Sequence, residues 1–112
     1  PTERGITHGN GAILAALQAA TGVKPIIIGK PEPIMYQQAL ERLGTDPAYT
    51  LAIGDRLDTD ILGAVRAGLP SVLVLTGVSQ RADLATAPAA PTWVLDSIRE
   101  LTGELLAAQP AV

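Results

Sequence analysis

Cysteine is absent from the chain, which removes disulfides, thiolate metal sites and thiol nucleophiles together. Phenylalanine is absent too, and aromatic residues make up only 3% of the sequence, so any core must be built from aliphatic side chains. The sole histidine, His8, has no serine, cysteine or second histidine at a recognisable spacing and reads as a turn residue. Basic charge is scarce: 8 Lys and Arg stand against 11 Asp and Glu, for a formal charge of −3 and a pI near 4.9. There is thus no basic stripe to follow a phosphate backbone, and nucleic acid is not an expected partner. No apolar stretch approaches the roughly 20 residues a membrane helix needs, and no basic-then-apolar leader opens the chain. No membrane association is expected, and the cytoplasm fits as the compartment. What remains is 47% hydrophobic with a mean hydropathy of +0.29 over 112 residues, the profile of one small globular unit.

Apolar periodicity divides that unit into alternating elements. Ile13, Leu14, Leu17 and Thr21 mark one face of a helix closed by Gly22, and Ile26-Ile27-Ile28 reads as a short strand. Gly29-Lys30-Pro31-Glu32-Pro33 is a stiff loop. Pro33 suits the first turn of the next helix, whose apolar side is Ile34, Leu40 and Leu43 before Gly44. Tyr49-Thr50-Leu51-Ala52-Ile53 is apolar and β-branched enough for a strand covered on both faces, and Ser71-Val72-Leu73-Val74-Leu75 repeats the pattern. A surface loop rich in Ala and Pro then runs to Pro91, followed by a strand at Trp93-Val94-Leu95. The last helix passes through Ile98, Leu101 and Leu105, with Ser97 and Glu100 at capping-box spacing. Strands alternating with helices give an α/β fold with a mainly parallel sheet.

The chemistry concentrates where the first of those two longer strands ends. Ile53-Gly54-Asp55-Arg56-Leu57-Asp58-Thr59-Asp60-Ile61 hands an apolar run over to three carboxylates within six residues, and Ile61, Leu62 and Val65 then resume at helical spacing. Asp55 therefore stands at the carboxyl end of a sheet strand, where open α/β folds bind their ligands. Crowded carboxylates repel unless a cation or proton lies between them, and a divalent metal is the economical explanation. Each residue also has a plainer reading. A single acid before a helix is ordinarily a cap or a dipole partner, and Asp58 is expected to be the cap. Asp60, directed back toward Asp55, would orient the site without touching the ion. Lys30 alone would be a solvated lysine, yet its loop is too stiff for a surface tether, and a fixed ammonium beside a metal suits a phosphoryl group. Gly9-Asn10-Gly11 resembles a nucleotide loop but lacks a third glycine and a downstream acid. Trp93 reads as core or strand edge.

Taken together, Gly29-Lys30-Pro31, then Gly54-Asp55-Arg56-Leu57-Asp58-Thr59-Asp60-Ile61, then Leu73-Val74-Leu75-Thr76-Gly77-Val78 resemble the haloacid dehalogenase (HAD) superfamily. More narrowly they resemble its 4-nitrophenylphosphatase and phosphoglycolate phosphatase branch, whose members carry a large α/β cap. The resemblance implies the C-terminal part of a Rossmann-like parallel sheet, with residues 1–29 ending the cap and residues 30–112 belonging to the catalytic core. It implies a Mg²⁺-dependent phosphomonoester hydrolase acting on a small phosphorylated metabolite through an aspartyl-phosphate. Lys30 would steady the nucleophile and the phosphoryl oxygens, Asp55 would be a Mg²⁺ ligand, and Asp60 would support the catalytic site.

Members of that superfamily also carry an Asp-x-Asp-Gly segment that supplies the nucleophile, and none occurs in this sequence. The expectation is therefore the C-terminal part of a longer phosphatase, inactive alone. The strand at Leu51-Ala52-Ile53 would expose an edge to the missing N-terminal half or to another copy. By the same placement Ile26-Ile27-Ile28 would fall in the cap. A non-catalytic module that folds by pairing its open edge with a partner stays an alternative. A receiver-type phospho-acceptor has its acidic pair first and its lysine last, the reverse of the order here.

Overall fold

A computed structural model of the chain describes residues 3 and 5–107; residues 1, 2, 4 and 108–112, and the side chains of residues 104–107, lie outside the described part. Three parallel strands form the sheet in the order β1 (Ala52–Gly54), β2 (Ser71–Val74), β3 (Trp93–Leu95). Ile53 pairs with Val72 and Val72 with Trp93, so β2 is central and the other two are edges. All four residues of β2 are buried, as a continuous β-branched and leucine run between two neighbours should be. The core is aliphatic: Leu57, Ile61 and Leu73 cluster, with Leu75, Leu84, Ala87, Ala89 and Val94 packed against them.

Helices α1 (Asn10–Thr21) and α2 (Ile34–Leu43) precede the sheet, and each stops at a glycine in the left-handed region, Gly22 at φ 70° and Gly44 at φ 64°. Pro33 occupies the position before α2, as its fixed φ favours. Between β1 and β2 the chain makes a π-helical turn, Leu57–Ile61, and then helix α3, Leu62–Arg66. Helix α4, Ile98–Ala107, follows β3; Glu100 accepts the Ser97 N–H at 3.1 Å and Ser97 Oγ accepts the Arg99 N–H at 3.2 Å, which closes its first turn.

Several expectations need correction. Ile26-Ile27-Ile28 forms no strand; the three side chains are 83%, 40% and 52% exposed, an apolar run without a neighbouring strand to pair with. Helix α1 buries no residue, against the sheet or anywhere else among the described residues. The N-terminal segment thus stands away from the sheet. The first strand is shorter than its apolar run because Asp46 Oδ1 accepts the Ala48 N–H at 2.8 Å and draws Pro47–Tyr49 into a 3₁₀ turn, leaving Tyr49 exposed. Nor is that strand covered on both faces: Leu51 and Ile53 remain 38% and 45% exposed. Finally, the Ala- and Pro-rich stretch after Gly77 is not all surface, since a 3₁₀ segment at Arg81–Thr86 sends Leu84 onto the core.

Candidate active site

The site begins with the absence of a side chain at Gly54. A Cβ there would overlap the Cβ and carboxylate of Asp60, so β1 can end against that residue only as glycine. The chain then turns through Arg56, and the Ile61 N–H reaches the Arg56 carbonyl at 3.1 Å, the five-residue spacing of a π turn. This turn folds Asp60 back under the loop it follows. Its Oδ2 accepts the backbone N–H groups of Arg56 at 3.1 Å and of Asp55 at 3.3 Å, while Oδ1 accepts from Lys30 Nζ at 2.5 Å. A carboxylate whose side chain is only 11% exposed is thereby provided with three donors, the condition on which burying a charge is tolerable.

Lys30 arrives from the loop before α2 and crosses to Asp60. The hydrogen bond to Asp60 holds its ammonium protonated above the usual lysine range, against the smaller opposing effect of burial. Its side chain is still 47% exposed, and an ammonium has three donors, so donors remain for an incoming anion.

Asp55 is held from the other direction. Its Oδ2 accepts the Val78 N–H at 2.8 Å, and its carbonyl accepts the Ser79 N–H at 3.0 Å. Ser79 Oγ in turn accepts the Leu57 N–H at 3.1 Å, tying the loop after β2 to the turn after β1. Gly77 makes that approach possible, because a Cβ there would overlap the Asp55 carboxylate. Oδ1 of Asp55 accepts no hydrogen bond from the described residues and is open to a cation. Mg²⁺, however, wants near-octahedral oxygen ligation, and among the described residues no group of three or more His, Cys, Asp or Glu is arranged to hold a metal. The chain therefore fits such an ion as the source of one carboxylate ligand, not as a complete cage.

Asp58 does not cap the helix. It pairs with Arg56 through two hydrogen bonds, at 2.7 and 3.0 Å, on the exposed rim, and this pairing depresses its pKa. Asp60 takes the backbone donors instead, because the π turn brings the later acid around to them. His8 is exposed in the N-terminal segment, away from any acid pairing, and Trp93 is on edge strand β3, 53% exposed. Sequence reasoning missed Tyr36, whose hydroxyl donates to the Asp60 carbonyl at 2.9 Å, and the parts played by the Val78 N–H and the Ser79 hydroxyl. For the last two the signal was present in the position of Val78-Ser79 just beyond a strand end; Tyr36 gave none beyond its place on a helix following Lys30.

The profile of the HAD-hydrolase-like family matches residues 27–101, which includes both Lys30 and the whole acidic loop. The chain belongs to that family. It is 45% identical over 100 residues to the 5'-nucleotidase YutF of Bacillus subtilis, covering 89% of this chain and 39% of that protein. It is 46% identical over 114 residues to the D-glycerol 3-phosphate phosphatase of Mycobacterium tuberculosis, covering 98% of this chain and 32% of that protein. Among solved structures, the glycerol phosphate phosphatase from Mycobacterium tuberculosis in complex with magnesium superposes with a TM-score of 0.76 at 48% identity, over 90% of this chain and 31% of that one. The HAD-like chain thus spans well under half the length of these relatives, and its α/β fold corresponds to the C-terminal part of a HAD core. No helix among the described residues is long and apolar enough to cross a membrane.

Proposed function

We propose that the protein carrying this chain is a Mg²⁺-dependent phosphomonoester hydrolase that works through an aspartyl-phosphate on a small phosphorylated metabolite. The observation that carries this reading is the hydrogen-bonded path from Lys30 Nζ through the Asp60 carboxylate to the N–H groups of Asp55 and Arg56. That path fixes an ammonium and a free carboxylate oxygen at one end of the sheet, the arrangement a doubly charged phosphoryl group and its metal ion would need.

In this reading Lys30 binds substrate and offers its free N–H donors to the phosphoryl oxygens as negative charge shifts among them. Asp60 holds the lysine charged and aimed, and its own burial keeps the loop still. Asp55 would hold a Mg²⁺ ion through its carboxylate, and that ion, when bound, would supply positive charge to screen the phosphoryl oxygens. The nucleophilic aspartate, absent from these residues, comes from the remainder of the protein. Residues 1–29 end a cap and residues 30–112 belong to the core, a division supported by a family match that starts at residue 27 and by the detachment of α1 from the sheet. The remainder of the protein pairs with the open edge of β1; the half-exposed Ile53 and the 39% coverage of a relative's length support that placement. A cytoplasmic location fits the same reading.

The test is made on the full-length protein with 4-nitrophenyl phosphate and Mg²⁺. Lys30→Ala and Asp55→Ala should each lower kcat by about a hundredfold or more, the scale of losing one preorganised electrostatic partner. Near-normal turnover in Lys30→Ala would remove the lysine from the mechanism.

A further inference from the structure

Tyr36 stands on α2, outside every motif the sequence offers, and touches the π turn in two unlike ways. Its hydroxyl donates to the Asp60 carbonyl at 2.9 Å. Its ring lies against the following helix so closely that a Cβ on Gly63 would meet Cε2 at 2.7 Å and the Pro31 backbone at 3.4 Å. Asp60 is consequently gripped at both ends, its carboxylate by Lys30 and two loop N–H groups and its carbonyl by Tyr36.

The grip matters because a π turn competes with the ordinary α register. The Arg56 carbonyl already accepts the Asp60 N–H at 3.0 Å, the α spacing, beside the Ile61 N–H at 3.1 Å, so a turn that settled into the α register would rotate the residues after Asp60, and with them the peptide that carries the Asp60 carbonyl, by about 100°, one α-helical step. A hydrogen bond to the carbonyl inside the turn favours the observed register over that alternative. We propose that Tyr36 is a positioning residue, whose hydroxyl fixes the π turn so that Asp60 faces both Lys30 and the loop that carries Asp55. The role rests on the phosphatase reading above, since it is through Lys30 and Asp55 that the turn's register reaches the reaction.

Tyr36→Phe isolates the hydroxyl, because the ring and its packing against Gly63 are kept. In the full-length protein, assayed with 4-nitrophenyl phosphate, kcat should fall about threefold to tenfold, the range one hydrogen bond supplies, with KM unchanged and the melting temperature lower by only a few degrees. Hydrogen exchange at the Arg56 amide, which Asp60 protects, should accelerate in the same variant. Wild-type kcat and exchange in Tyr36→Phe, while Lys30→Ala is inactive, would overturn the positioning role and leave the phosphatase reading intact. Full turnover in Lys30→Ala would instead overturn that reading and this role with it. Exchange that accelerates at amides throughout the sheet, and not selectively at Arg56, would show Tyr36 to be structural only and would equally overturn the proposal.

Discussion

Adding one methyl group at Gly77 should disable the site without touching a charged residue. Gly77 does not have a positive φ, so alanine is permitted by the backbone, and the whole effect falls on what the new Cβ meets. It meets the carboxylate of Asp55, which must retreat by about 1 Å to regain an ordinary contact. Retreat breaks the 2.8 Å hydrogen bond from the Val78 N–H, an interaction with a charged acceptor of about 1.5 to 3 kcal/mol. The folded state should survive that loss. Turnover should not, because a displacement of that size at a reacting centre lowers rates by about a hundredfold. The assay is steady-state hydrolysis of 4-nitrophenyl phosphate by the full-length protein across a Mg²⁺ titration, with melting curves alongside. The expected result is kcat down about a hundredfold and a higher Mg²⁺ requirement, with the melting curve shifted but still cooperative. Gly103→Ala is the control: nothing lies within 4 Å of its Cβ position, and a helix-interior glycine gains about 0.5 to 1 kcal/mol on becoming alanine. Wild-type turnover and Mg²⁺ dependence in Gly77→Ala would refute the assignment of Asp55 to the metal.

Leu73→Ala should destabilise by about 2 to 5 kcal/mol because the side chain is fully buried in β2, whereas Leu51→Ala, at 38% exposure, should fall well below that range; equal losses in denaturant unfolding would contradict the packing described. Alkaline pH should selectively weaken the Lys30 and Tyr36 region. The first is raised by its bond to Asp60 and the second by burial, so the folded state keeps both protons longer than the unfolded chain. Their contribution is complete below the unfolded values of about 10 and is lost as pH rises through the folded ones. With Lys30 half exposed the effect is small, and melting curves from pH 8 to 11 should show a shallower alkaline fall in Lys30→Met than in the parent; identical slopes would dismiss the Asp60 pair as its source.

Local signals were legible where they act locally. Gly22 and Gly44 announce helix ends because only glycine takes a left-handed φ freely, and Ser71-Val72-Leu73-Val74 announces a central strand because both its faces are covered. Tyr49 and Ile26-Ile27-Ile28 misled for one reason: an apolar run states a preference for burial, not the presence of a neighbour to provide it. The roles of Asp58 and Asp60 were exchanged in their capping because a π turn leaves no mark in residue spacing, yet it decides which of two acids comes around to the loop donors. The pairing of Lys30 with Asp60 joins residues 30 positions apart, so periodicity could not show it, and the family resemblance put both residues in one site without pairing them.

Gly54 and Asp60 occupy what is nearly one volume, and this has an evolutionary consequence. Neither position can drift by itself: a side chain at 54 evicts Asp60, and a larger residue at 60 collides with the end of β1. Only glycine at 60 would relieve the crowding, since the Asp60 Cβ makes the nearest contact, and it would release Lys30. Substitutions at the two sites should be strongly epistatic, so that Gly54→Ala, damaging in the parent, becomes nearly silent beside Asp60→Gly but not beside Asp60→Ala, whose Cβ would still lie 2.2 Å from the new one. In a lineage of such chains the two residues are expected to be retained together or lost together, with Lys30 following them.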